Sequence, residues 1–205
     1  MQKSTKFGLL GQKHDKIGES HRGAVCLEGN ALIIPVELPE PLEEIRQQYD
    51  PVGCTIPAHI TVSFPFGDHP DVPRVSPQLL SLAQQFEPFT VAFHQLSQFD
   101  QGDQAIVILK LRRSRRLMQL FQRVWTEFPQ YPPYQGQHQA VIPHITIARL
   151  PASSLKMFGS VSQVVQKYQP QLSWRVTQLM LVVNREVIHE PPLQFIFPFA
   201  GISMP

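Results

Sequence analysis

One short phrase occurs twice in this chain and constrains its fold more than any other feature. Residues 56–62 read IPAHITV, and residues 142–147 read IPHITI. Both copies have the character of β-strands, and in a strand residues i and i+2 point to the same face. Each copy therefore predicts a strand with a histidine beside a threonine on one face and aliphatic side chains on the other.

The polar residues of the two copies are suited to phosphate chemistry. They are His59, Thr61, His144 and Thr146. Cleavage of a phosphodiester needs a base for the attacking oxygen, an acid for the departing oxygen, and fixed donors for the non-bridging oxygens. Histidine ionises near pH ~6.5, so a pair can hold one neutral and one protonated ring. We predict that the histidines are catalytic and the threonines bind phosphate, in a scheme that requires no metal and no other cofactor.

Both halves of the chain are predicted to contain strand, helix, motif strand, helix and strand in that order. In the first half the strands span 31–38, 59–64 and 89–96, and the helices span 39–49 and 76–86, with Ser76 as a cap. In the second half the strands span 105–111, 144–150, 172–184 and 193–199, and the helices span 114–128 and 152–168. The matching order suggests an internal duplication of residues 31–98 and 105–199.

The pattern predicts an α+β fold in which amphipathic helices cover the outer faces of β-sheets. A chain of 205 residues is long enough for one bilobed domain, expected over residues 30–205 after a polar, flexible tail at 1–29. If a pseudo-two-fold axis relates the halves, the motif strands lie side by side or face each other across a cleft.

Composition limits the classes of function. The formal charge of +2 excludes the strong basic field of a non-specific nucleic-acid binder, but it allows a small or end-recognised anionic substrate. Cys26 and Cys54 are too few for a disulfide framework and lack metal-type spacing, so a cytoplasmic location is expected. Residues 1–18 contain no sustained apolar stretch, so we expect neither a signal peptide nor a membrane anchor. No protein partner is inferred.

The paired motifs resemble those of the two-histidine (2H) phosphoesterase superfamily, which includes LigT-type bacterial 2′-5′ RNA ligases and RNA 2′,3′-cyclic phosphodiesterases. The signature of that family is a pair of His-x-Thr-x tetrapeptides with hydrophobic x, as at residues 59–62 and 144–147. The approach to the second motif, at residues 131–134 and 143–149, is also similar to bacterial members. The resemblance covers roughly residues 31–199.

This resemblance implies a bilobed fold with two antiparallel sheets, helices on the outer faces and both histidines in a central cleft. It implies hydrolysis of 2′,3′-cyclic phosphates on RNA ends or small nucleotides, and by analogy His59 is the base and His144 the acid. An exchange of roles reverses the reaction, so 2′-5′ ligation or cleavage of 2′-5′ linkages is the first alternative. A module that binds nucleotides or RNA ends without turnover is the second.

Three further residues are candidates for substrate binding. Arg149 could grip phosphate oxygens with its forked guanidinium, but strand alternation places it with Ile147 on the opposite face unless a β-bulge redirects it. Ser63 shares the parity of Thr61 and is expected to face the cleft. Tyr134 could stack on a base at the rim.

Other polar residues have simpler interpretations. His94 is interpreted as a structural residue, whereas His138 and His189, in loops, stay open as cleft residues. The arginines of residues 112–116 oppose a helix dipole, which suggests contact with an RNA backbone, although a solvated turn is the favoured interpretation.

Overall fold

A computed structural model describes residues 29–50, 55–67, 71–136, 141–151, 153, 155–168, 172–184 and 190–201. The expected N-terminal tail therefore lies outside the described residues, apart from Gly29. Within the described part, the strands are β1 Ala31–Pro35, β2 His59–Ser63, β3 Phe89–Gln101, β4 Gln104–Leu111, β5 His144–Pro151, β6 Ser173–Val176, β7 Gln178–Val183 and β8 Leu193–Pro198. The α-helices are α1 Glu40–Tyr49, α2 Val72–Ala83, α3 Arg115–Glu127 and α4 Leu155–Tyr168.

The strands form an antiparallel sheet in the order β6-β3-β4-β5-β2-β1-β7-β8. The predicted α+β class with an antiparallel sheet is confirmed. The resemblance implied two antiparallel sheets, and the structure joins two groups of four strands in one order through β2 and β5, the two motif strands. That junction consists of a single residue pair, Ile60 with Ile145. The motif strands therefore lie side by side at the centre of the sheet.

Each group of four strands contains strands from both halves of the sequence. β1 pairs with β2, and β4 pairs with β5, so each motif strand lies beside the first strand of its own sequence half. β3 follows the first motif but pairs with β4, whereas β7 follows the second motif and pairs with β1. The pairing pattern is the same in both groups, and an internal duplication remains a prediction that it does not test.

The helices bury their apolar stripes against one face of the sheet. In α3 the Ser114 hydroxyl caps the first turn by accepting a hydrogen bond from the backbone N–H of Leu117, and four apolar residues of this helix are buried. The main core combines them with residues of the other three helices and with Ile60 and Ile145 of the motif strands. We call this side of the sheet the helix face. It leaves the opposite side of the motif strands uncovered by these helices.

One helix begins earlier than predicted. The expected start of α2, with Ser76 as its cap, is wrong, because the helix begins at Val72 and Asp71 caps it by accepting a hydrogen bond from the Arg74 backbone N–H at 3.3 Å. Pro77 lies inside this helix, where its missing N–H removes one hydrogen bond.

One predicted strand is in fact two. The expected strand over residues 172–184 is divided at Thr177 into β6, which pairs with β3, and β7, which pairs with β1. The carbonyl of Thr177 accepts a hydrogen bond from the Phe199 backbone N–H at 2.8 Å, one step beyond the pairing of Gln178 with Pro198, so Thr177 already lies beside the chain that forms β8. The chain therefore crosses from one group of strands to the other at this residue. None of the described helices is both long enough and apolar enough to cross a lipid bilayer.

Candidate functional site

The pairing of the motif strands brings their polar side chains together. Ile60 of β2 lies opposite Ile145 of β5 in antiparallel register. One step along this register sets His59 opposite Thr146, and one step the other way sets Thr61 opposite His144. Paired residues of neighbouring strands point to the same face, so one face carries both motifs. Its four polar members are half-buried: His59, Thr61, His144 and Thr146. We call this side of the sheet the histidine face.

A β-bulge interrupts β2 directly after its threonine. Ile33 and Leu32 are adjacent in β1, yet they oppose Thr61 and Ser63 in β2, so Val62 is an extra residue. The Val62 carbonyl accepts a hydrogen bond from the indole N–H of Trp125 at 2.9 Å. Helix α3, which contributes the tryptophan, thus holds the bulged backbone in place.

The bulge turns Ser63 away from the motif side chains. Ser63 shares a face with its partner Leu32, a member of the main core, and it is fully buried. Its hydroxyl donates to the carbonyl of Tyr131 at 2.7 Å. The prediction that Ser63 faces the cleft is therefore wrong. Strand alternation was counted through Val62, which has no partner in β1.

An equivalent bulge interrupts β5. Ile108 and Val107 are adjacent in β4, yet they oppose Thr146 and Ala148, so Ile147 is the extra residue. Ala148 is buried in the main core, as Ser63 is buried at the same place in β2. The two motifs therefore share a backbone irregularity as well as a sequence.

The second bulge places Arg149 on the histidine face. Arg149 opposes Ile106, and Thr146 opposes Ile108, two residues along the same strand, so the arginine and the threonine share a face. The bulge that Arg149 needed to reach the motif side chains is thus present. Its Nε donates a hydrogen bond to the Asp50 carboxylate at 3.2 Å.

Both imidazoles are held by the same type of backbone contact. Nδ1 of His59 lies 2.9 Å from the carbonyl oxygen of Pro57, and Nδ1 of His144 lies 2.6 Å from that of Ile142. Since a carbonyl only accepts, Nδ1 carries the hydrogen in each ring. Nε2 is then the lone-pair nitrogen of the neutral imidazole and the atom able to take or give a catalytic proton.

The surroundings lower the pKa of each histidine. For His59, burial is the main cause; the Pro57 carbonyl and the Asp50 charge raise the pKa, while Arg46 and His144 lower it. For His144, burial is again the main cause, the Ile142 carbonyl raises the pKa, and Arg149 lowers it. Because the positive charge of protonated His144 lowers the pKa of His59, protonation of both rings at once is disfavoured.

Most of the chain, including both motifs, matches one known protein family. Residues 34–187 match the family model described as the 2′-5′ RNA ligase superfamily. The chain belongs to the 2′-5′ RNA ligase superfamily. The family resemblance that the two motifs predicted is thereby confirmed. A search of curated proteins found no match to the chain.

Two solved structures share the fold of this superfamily member at a TM-score of 0.50, and a third is similar to it at a lower score. TT0787 of Thermus thermophilus has 18% identity and a TM-score of 0.50, with 82% of this chain and 93% of the other covered. Kluyveromyces marxianus Usb1 with uridine monophosphate has 12% identity and a TM-score of 0.50, with 83% and 99% covered. LigT of Escherichia coli in its apo form has 18% identity and a TM-score of 0.47, with 85% and 100% covered.

An aromatic ring and a lysine flank the second motif of this 2′-5′ RNA ligase superfamily member. The Phe99 ring packs against His144 in an edge-on arrangement, with centroids 5.1 Å apart. Lys110 of β4 is the cross-strand partner of His144 and so points to the histidine face. Phe99 was overlooked because the predicted strand ended at residue 96, whereas β3 continues to Gln101 and turns into β4 through Gly102, whose φ is 64°.

Two buried charges of α1 were also overlooked. Arg46 is 3% exposed and Asp50, at the end of the helix, is 4% exposed. With the buried Leu42 they follow an i, i+4, i+8 spacing. That spacing was the available signal, because it places charged residues on the helical stripe that faces the core.

Of the remaining candidates, Tyr134 lies next to the end of β2, and the others are exposed or lie outside the described residues. The backbone N–H of Tyr134, in a short 3₁₀ turn at Pro133–Gly136, donates to the Phe64 carbonyl at 2.6 Å, which ties this turn to the end of β2. His94 and the arginines of residues 112–116 are exposed. His138 and His189 lie outside the described residues. Among the residues described, no three His, Cys, Asp or Glu side chains gather as a metal-ligand group.

Proposed function

We propose that this protein hydrolyses 2′,3′-cyclic phosphates of RNA ends or nucleotides with its two histidines as acid and base. The observation that carries the proposal is the register of β2 and β5, in which Ile60 opposes Ile145. This register sets each histidine opposite the other motif's threonine, so two proton carriers and two hydroxyl donors surround one small area. A phosphate group fits that arrangement, because its cleavage needs all four.

The reaction assigns one proton transfer to each imidazole. Nε2 of His59 removes a proton from water as the new oxygen–phosphorus bond forms, and protonated His144 gives its proton to the ribose oxygen as the old bond breaks. The ring is opened to a phosphomonoester, and the two histidines finish with their protonation states exchanged. Exchange with solvent restores them before the next turnover.

The threonine hydroxyl groups and Arg149 bind the non-bridging oxygens of the phosphate. Thr61 and Thr146 flank the imidazoles and can donate to oxygens whose negative charge grows in the transition state. Arg149 adds a positive charge on the same face. The Usb1 structure of this fold contains uridine monophosphate, which supports a ribose phosphate as the ligand.

The decisive experiment presents the purified protein, in EDTA, with 2′,3′-cyclic mononucleotides and with oligonucleotides that end in a cyclic phosphate. We expect ring opening with a bell-shaped pH dependence, and one phosphomonoester isomer as product. The isomer identifies which ribose oxygen departs. Turnover that persists after both His59→Ala and His144→Ala contradicts the proposal, as does the absence of turnover on every substrate.

A second candidate is the formation or cleavage of 2′-5′ linkages, favoured by the description of the matching family. The chemistry is the same, with a ribose hydroxyl in place of water, and it consumes no nucleotide triphosphate. Adding an oligonucleotide with a free 5′-hydroxyl to the cyclic-phosphate substrate separates the two, because ligation gives a longer product. Tight phosphate-dependent binding without any product after long incubation identifies a binding module instead.

A further inference from the structure

The histidine face continues beyond the two motifs onto β4 and β3. Lys110 of β4 opposes His144, and Gln95 of β3 opposes Lys110 in its turn. Because paired residues of neighbouring strands point to the same face, these three side chains form one row across three strands. We call Gln95 and Lys110 the polar flank of the site.

The histidine face on the other side of the motifs is apolar and covered. Thr61 of β2 opposes Ile33 of β1, which in turn opposes Met180 of β7. Ile33 and Met180 are both buried, in a cluster that also contains Val182. A phosphate group loses its hydration and gains no partner against aliphatic side chains. An anionic chain is therefore better accommodated across β4 and β3 than across β1 and β7.

Lys110 is the open position of β4 on the histidine face. Ile108 and Ile106 share this face, at two and four residues from Lys110, and both are buried. Lys110 is half-buried and Gln95 is exposed. Within the described part of the chain, the ammonium group of Lys110 has no ionic or hydrogen-bond partner. Its positive charge is thus available to a ligand.

A second cation continues the polar flank beyond the end of β4. Arg112 follows Lys110 by two residues, and its backbone N–H still donates to the Ala92 carbonyl of β3 at 2.8 Å. Residues two apart in an extended segment share a face, so Arg112 lies on the side of Lys110. Arg112 is exposed, and its Nε donates to the Phe93 carbonyl at 3.2 Å. The polar flank therefore becomes more positive with distance from the motifs.

The spacing of the strands separates Lys110 from the reacting phosphate. Neighbouring strands lie about 4.8 Å apart, so a phosphate held between β2 and β5 is roughly 7 Å from the line of β4. Arg149 and the two motif threonines are the proposed ligands of that phosphate. An RNA end carries its next phosphate on the 5′ oxygen of the terminal ribose, one sugar away from the cyclic phosphate. That second group matches the offset of Lys110.

We propose that Lys110 binds the phosphate on the 5′ side of the terminal nucleotide, so that this protein prefers single-stranded RNA ends with a cyclic phosphate over cyclic mononucleotides. This inference rests on the proposed function and names its substrate class. Arg112 extends the same path toward the phosphate that follows. Lys110 determines specificity in this scheme, because it contacts the chain of the substrate and not the reacting atoms.

The test compares two dinucleotides that end in a 2′,3′-cyclic phosphate and differ only in their internal linkage. One has the natural phosphodiester, and the other has a methylphosphonate, in which a methyl group replaces the charged oxygen. We expect wild-type kcat/KM to favour the charged linkage roughly 3- to 10-fold, because the neutral linkage loses one charge-assisted contact.

Variants of Lys110 assign this preference to one residue. Lys110→Met removes the ammonium group and keeps an unbranched side chain, and it should abolish the preference, whereas Lys110→Arg should retain it. Lys110→Gln removes the same charge and replaces the methionine variant if that variant does not fold. Lys167→Met makes the same change at an exposed position on α4 and should keep the wild-type ratio. Because each value is a ratio of two substrates, a general loss of activity does not alter it.

A binding measurement separates this inference from the proposed function. The same two dinucleotides with a 3′-monophosphate in place of the cyclic phosphate bind without reacting, and calorimetry gives their affinities. If no cyclic phosphate is hydrolysed, the proposed function fails, but a preference for the charged linkage that depends on Lys110 still supports the second phosphate site.

Two results overturn the proposal. One is equal treatment of the two linkages by the wild-type protein. The other is a wild-type ratio in the variant that lacks the Lys110 charge. A variant that is slower on both dinucleotides by the same factor belongs to the second case, because it shows that Lys110 acts on the reacting phosphate or on His144.

Discussion

Val62 and Ile147 occupy the same place in the two motif strands, and each is the extra residue of a β-bulge that directly follows a threonine. The bulge turns the next residue toward the helix face and the one after it toward the histidine face. In β5 that second residue is Arg149, and directly after β2 it is Phe64, which packs against a small apolar cluster containing Ile33. The two motifs thus share a backbone but differ in the side chain that follows.

Replacing either histidine should abolish most of the turnover. We expect His59→Ala and His144→Ala each to lower kcat on a cyclic-phosphate substrate by about 10²–10⁴-fold, because each removes one proton transfer. Steady-state rates in EDTA measure the effect, and thermal unfolding confirms that the variants fold. The exposed His94→Ala is the matched control. Near-wild-type kcat in either motif variant contradicts acid–base catalysis by that residue.

The threonine hydroxyls can be removed without changing side-chain shape. Thr61→Val and Thr146→Val keep a β-branched residue in the strand, so the fold should be retained. Each should lower kcat by roughly tenfold or more, because a donor to the transition-state charge is lost. Thr90→Val, exposed in the part of β3 that pairs with β6, serves as control. Equal rates for the motif variants and the control would show that these hydroxyls bind no phosphate.

The contact of Phe99 with His144 should set the alkaline limb of the pH profile. Burial lowers the pKa of His144 below its usual value near ~6.5, and the aromatic ring contributes to that burial. Phe99→Ala admits water, raises this pKa and moves the alkaline limb of kcat/KM to higher pH. The comparison is Phe89→Ala, whose ring stacks on Phe199 instead. An alkaline limb that stays in place shows that the ring does not tune the acid.

Ser63 should matter for stability and not for the chemistry. Its buried hydroxyl donates to the Tyr131 carbonyl, and Ser63→Ala leaves that carbonyl without its partner. We expect the free energy of unfolding to fall by about 1–3 kcal/mol. Urea denaturation measures this, with the exposed Ser81→Ala expected within about 0.5 kcal/mol of wild type. A shifted pH profile of kcat/KM in Ser63→Ala would instead show that Ser63 acts in the catalytic site.

Acid should destabilise the fold through the same two histidines. Their pKa values are lowered in the folded state, so the unfolded chain binds more protons once the pH falls below about 6.5. Their contribution is fully present above that pH, and it is lost as the pH falls toward the lowered values. Urea denaturation from pH 8 to pH 5 should show this decline, and His59→Gln should flatten it. An equally steep decline in that variant assigns the acid sensitivity to other groups.

The sequence predicted the motif strands well because alternation with period two is a strong signal, and His59, Thr61, His144 and Thr146 do share one face. The bulges could not be predicted, since Val62 and Ile147 are ordinary strand residues that nothing marks as unpaired. That is why the parity argument failed for Ser63.

Topology was harder still. The segment at residues 172–184 has apolar residues on both sides of Thr177 and contains no glycine or proline. No local signal therefore indicated that its first part pairs with β3 and its second part with β1. Helix α2 was placed one turn too late, because Ser76 precedes a proline and imitates the cap that Asp71 supplies. The buried pair of Asp50 and Arg149 depends on contacts between distant segments, which a pattern within one element does not reveal.

The exchange of strands between the two sequence halves bears on how the chain is made. β1 and β2 leave the ribosome before β7 and β8, which complete their side of the sheet. Until then β1 presents an open edge, and strand edges of this kind invite pairing with other chains. The nascent polypeptide is therefore expected to need shielding by chaperones, and the sheet that carries the two motifs is complete only after β7 and β8 have been translated.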